Sequence, residues 1–197
     1  MANTIIRLSG LFLIIGAALL GTAIIMTAFN PVVNQTLSPL VSLFLLISAI
    51  MLLLSLPAMY AKQAEEAGWL GITGHALLQT GILLLVVVAS TPLLYTSLKL
   101  ASGESLVVFL LGIALTMGLL LTGIATIRAG IFPRWTGILL LAATTGFFFV
   151  FFIAEFLPPQ AGQAGSAFLG ILLALALAWI GVSMWTGSSQ PTWSPRI

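Results

Sequence analysis

Only a handful of side chains in this 197-residue sequence could do chemistry. His75 and Gln79 are four residues apart and share a face if their segment is helical. An imidazole there could move a proton, or ligate a metal or a macrocycle. The chain has a single His, so a bis-histidine site cannot form, and no carboxylate follows at a ligand spacing. The expectation is a neutral His75 and Gln79 that hydrogen-bond a neighbouring helix. Thr144 and Thr145 add hydroxyls within an apolar stretch, and Glu155 adds a carboxyl near the end of that stretch. A charge at the bilayer centre costs about 2.5–3.5 kcal/mol on insertion scales, so any ionisable group in a span is a functional candidate. Glu155 reads either as an interfacial anchor beside Lys99 or as a proton or cation ligand at an outer vestibule. The anchor is the expectation.

These groups do not add up to a catalytic set. The chain lacks Asp and Cys, which rules out a Ser/His/Asp triad, disulfides and thiolate metal sites. No Gly-rich phosphate loop is present, and Glu65 and Glu66, being adjacent, point to different helical faces. His75 and Glu155 lie toward opposite ends of their spans, roughly 20 Å or more apart at about 1.5 Å per residue, too far to act as one acid/base pair. Neither an enzyme nor a resident metal or cofactor is expected.

The elements that must hold these residues are apolar helices. Hydrophobic residues make up 60% of the chain and charged residues 5%, against about 25% charged in a soluble domain. Six stretches are long enough to cross a hydrocarbon core of roughly 30 Å: residues 8–29, 39–60, 70–94, 106–127, 136–157 and 167–185. Peptide groups in lipid must be satisfied internally, and a run such as Ile82 to Val88 lacks the period-two alternation of a barrel strand. The predicted fold is therefore all-α, a single domain of six transmembrane helices. Residues 1–7 and the run after them read as a retained first helix, because the apolar run is about twice a signal-peptide core. Arg7, Lys62, Arg128, Arg134 and Arg196 would fall on one side and only Lys99 on the other, which puts both termini in the cytoplasm by the positive-inside bias. A net charge of +2 without a basic cluster gives no reason to expect nucleic acid.

The connections carry a repeated spacing. Gly123, Pro133 and Trp135 match Gly181, Pro191 and Trp193, and Pro57 to Trp69 has the same length with Pro57 in the place of the leading Gly. Odd-numbered spans open alike, at Gly10, Gly71 and Gly137. Three helix pairs about a pseudo-threefold axis along the membrane normal are the expectation. In lipid, helices associate through close approach of small residues. Ala17 and Gly21, then Ala114, Gly118, Thr122 and Thr126, then Gly170, Ala174 and Ala178 accordingly mark packing faces. The Phe-rich run from Phe147 to Phe156 covers every side of its helix, so part of it faces lipid, a lipophilic molecule or another protein.

The segments Pro57 to Gly71 and Arg128 to Gly137, with their Arg-Ala-Gly and Pro-Arg-Trp elements, resemble connections in small, uncharacterised bacterial six-helix integral membrane proteins. That resemblance implies a bacterial inner-membrane, multi-pass protein and brings no catalytic residues with it. Together these readings point to a non-enzymatic accessory or scaffolding subunit. Its partners would be membrane lipids and other transmembrane subunits or a second copy of itself. The alternative is a transporter or channel for a small or lipophilic solute, which needs His75, Gln79, Thr144, Thr145 and Glu155 to converge on one path.

Overall fold

A computed structural model of the chain describes residues 2–29, 39–94, 103–153 and 159–187. The described residues form five α-helices and no strand: α1 (Ala2–Phe29), α2 (Pro39–Leu94), α3 (Gly103–Ala129), α4 (Arg134–Ile153) and α5 (Pro159–Thr186). Four of them are long and apolar enough to cross a membrane, and α4 is a shorter apolar helix. Large apolar side chains such as Leu54, Leu83, Phe109 and Phe168 lie exposed on the outside. In water such a surface would drive association. The chain is a membrane-embedded, multi-pass protein.

Five helices stand where the sequence predicts six, because the second and third expected spans meet without a loop. The polar stretch Lys62 to Ala67 continues the helix, and a single residue, Gly68, leaves helical geometry at φ 56°, ψ −147°. The chain folds back there. The rings of Tyr60 and His75 stack with centroids 4.8 Å apart, whereas fifteen residues of straight helix would separate them by about 22 Å. A positive φ paired with that ψ is open essentially to Gly alone.

Other boundaries shift outward. The expected span from residue 167 is preceded by helix from Pro159 onward. Proline suits the first helical position, where a backbone N–H would have no partner, and Gln160, Ala161 and Ala164 carry the helix onward. Glu155 and Lys99 lie outside the described residues, as do residues 30–38 and 95–102 between expected spans.

The helices close into a ring in which α1 touches α2 and α5, α3 touches α2 and α4, and α4 touches α5. Antiparallel registers are visible where two contacts fix a direction. Gly74 lies against Leu121 and Gly81 against Leu115; Gly146 lies against Leu169 and Gly165 against Val150; Gly10 lies against Gly181 and Gly170 against Ile24. One apolar cluster fills the middle. It takes Leu13 from α1, Leu56 and Ile82 from the two halves of α2, Leu119 from α3, Leu140 from α4 and Ile180 from α5.

Candidate functional site

The polar residues are distributed by helix geometry, each with its own local solution. Thr144 is buried and donates to the carbonyl of Leu140 in its own helix at 2.6 Å. Its neighbour Thr145 points 100° away and is exposed. His75 and Gln79 are half-buried on the second half of α2. His75 stacks on the Tyr60 ring across the Gly68 reversal. Glu155 lies outside the described residues. Among the described residues no three His, Asp or Glu side chains gather at metal-ligating distance.

The buried polar contacts that do form tie helices together. Ser48 donates to the carbonyl of Gly16 at 2.7 Å, joining α2 to α1. Gln63 is 3% exposed, and its amide donates to the Thr126 hydroxyl at 3.1 Å, joining α2 to α3. The sequence hides Gln63, which sits in a stretch of Lys, Gln and Glu that reads as water-facing. Its burial follows from a helix that continues past the apolar run and keeps the core face of Leu56 and Met59 turned inward one helical repeat later. Thr122, one turn from Thr126, is buried with its hydroxyl unpaired, as is that of Ser42.

The predicted packing residues lie as follows. Ala17, Ala114, Ala174 and Thr122 are buried, and Ala178 packs against the central cluster. Gly21 faces Ala174, Gly170 faces Ile24, and Gly118 faces the backbone of Leu77 and Leu78. A second set of close approaches comes from the glycines that open the odd-numbered expected spans. A Cβ on Gly10 would stand 2.7 Å from the carbonyl oxygen of Gly181, and one on Gly137 would stand 2.9 Å from that of Gly123. Gly71 occupies the corresponding place beside Tyr60 and Ala67.

One end of the bundle is chemically distinct. The contacts of Gly10 with Trp185, of Gln63 with Thr126 and of Lys62 with Phe132 bring together the start of α1, the Gly68 reversal, the 130–133 connection and the end of α5. Every charged residue whose side chain is described, Arg7, Lys62, Glu65, Glu66, Arg128 and Arg134, belongs to this end. Trp69 and Trp135 are there too, 76% and 73% exposed, as interfacial indoles are. The Lys62 ammonium sits 5.9 Å over the Phe132 ring. Partial burial lowers its pKa from the ordinary lysine value, while the ring face favours the cation. Between α4 and α5 at this end is an apolar cleft of about 180 Å³ lined by Trp135, Thr136, Leu139 and Trp179.

No protein-family model matches the chain, and no curated protein or solved structure is significantly similar to it.

Proposed function

We propose that this protein is a non-enzymatic accessory or scaffolding subunit of a bacterial inner membrane, which packs against other transmembrane proteins or lipophilic molecules. The observation that carries this reading is the single apolar cluster filling the ring of helices. A solute path needs polar groups converging inward; of the candidates, His75 stacks on Tyr60, the Thr144 hydroxyl is bonded within its own helix and Thr145 is exposed. The exposed apolar surface offers area for lateral contacts.

The two halves of α2 each cross the bilayer in this reading, giving six crossings with both termini in the cytoplasm. The gathering of Arg7, Lys62, Arg128 and Arg134 at one end supports that orientation. The paired glycines Gly10/Gly181 and Gly137/Gly123 support three repeated helix pairs, since residues aligned by the sequence repeat recur at the contact between successive units.

The test is affinity purification in mild detergent followed by mass analysis of what co-elutes. A companion membrane protein or lipophilic molecule at fixed stoichiometry is the expected result. A chain that purifies alone and carries a solute flux in proteoliposomes overturns the scaffold in favour of transport.

A further inference from the structure

We propose that the cleft between α4 and α5 holds an acyl chain of an anionic phospholipid, with the Arg134 guanidinium on its headgroup. This rests on the bundle crossing the bilayer as proposed above. The cleft is almost wholly apolar: Trp135, Leu139 and Trp179 supply hydrocarbon walls, and the one hydroxyl, on Thr136, is committed to the Pro133 carbonyl at 2.7 Å. A polar ligand would find nothing there to bind, while a methylene chain would find walls on several sides. Trp135 and Leu139 are one turn apart on α4, so the cleft runs along the helix, in the direction of a lipid tail.

The head of the site is cationic. Arg134 directly precedes Trp135, is exposed, and has no carboxylate partner among the described residues; Arg128, also exposed, stands across the short 130–133 connection. Unpaired guanidinium beside an interfacial apolar cleft is complementary to a negative phosphodiester on an apolar tail. A zwitterionic lipid presents the same tail with a compensating cation, and gains less from Arg134. An apolar helix of a partner protein could fill the same walls, but would leave the guanidinium unanswered.

The test uses the two indoles as reporters. The chain with Trp69, Trp185 and Trp193 replaced by Phe is reconstituted into phosphatidylcholine vesicles containing a low fraction of lipid with brominated acyl chains, which quench nearby indole fluorescence. Brominated phosphatidylglycerol is expected to quench Trp135 and Trp179 at about fivefold lower mole fraction than brominated phosphatidylcholine, the weight of one basic side chain at an anionic surface. Arg134→Gln should abolish that preference, and Arg134→Lys should retain most of it. Equal quenching by the two lipids, or a preference that survives Arg134→Gln, overturns the site and leaves the scaffold reading standing. Indoles unquenched by either lipid in a protein that has inserted mean that a second copy of the chain, and not lipid, covers the cleft, which also overturns it. Failure to insert at all overturns both readings.

Discussion

Gly10 shows what one hydrogen atom in place of a methyl group does in lipid. Its backbone lies so close to α5 that an added Cβ would meet Gly181 O at 2.7 Å, Trp185 N at 2.8 Å and Met184 Cβ at 2.9 Å, mostly main-chain atoms that cannot swing aside. Gly10→Ala should therefore destabilise the bundle by about 1–3 kcal/mol, the usual range for overpacking. Gly112 has nothing near its Cβ position, so Gly112→Ala should be neutral or slightly stabilising. Thermal unfolding of both variants in one detergent checks the contrast, and equal losses would remove close approach as the cause. Gln63 poses the complementary question of a buried hydrogen bond. A double-mutant cycle with Gln63→Leu and Thr126→Val should return about 0.6 kcal/mol of coupling, the average for bonds between membrane helices; zero coupling would show that the contact at 3.1 Å holds nothing. The sequence announces the first kind of residue and conceals the second. Gly10 recurs with Gly71 and Gly137 at the opening of the odd-numbered spans, whereas the burial of Gln63 depends on how far a helix runs past its apolar core. Neither residue type nor spacing says whether a hydroxyl such as that of Thr144 is answered by its own helix.

At the scale of the element, α2 is the instructive case. Its two apolar runs are plain in the sequence, and so is the Gly between them. Its continuity is not, because Lys62 to Glu66 is as compatible with a solvated loop as with a helix of Ala, Gln and Glu, all good helix formers. The reversal at Gly68 can be tested directly in a chain that has no native cysteine. A Tyr60→Cys/His75→Cys pair should form an oxidative cross-link efficiently, while a Tyr60→Cys/Gln79→Cys pair, one turn farther along, should do so less well. Absence of the first cross-link would mean that the helix runs on. Gly68→Ala meets no steric neighbour, so its whole effect is backbone conformation, an expected loss of about 1–3 kcal/mol. The start of α5 at Pro159 is equally hidden: a Pro-Pro, two Gly and two Gln lie outside the sixth apolar stretch, and the permissiveness of the first helical position for proline lets the helix begin there.

For the whole molecule, the ring of contacts fixes more than any single helix does. Cysteines placed singly at Arg7, Glu66 and Arg134 should all react with a membrane-impermeant maleimide from one face of sealed vesicles, the cytoplasmic one. Labelling of any one of them from the other face would break the orientation argued from the charged end. The apolar nature of the spans and the clustering of charge were legible from composition alone, because lipid leaves a chain so few choices. The closure of α5 onto α1 is legible only through the repeated spacing, since a threefold arrangement of pairs brings the third against the first, whereas nothing in the two apolar segments themselves specifies that they touch. That closure governs the order of assembly. α1 is synthesised before α5, so the surface of Gly10 and Gly21 gains its partner only when α5 has been made, and until then that small-residue seam stands open in the bilayer to any passing helix.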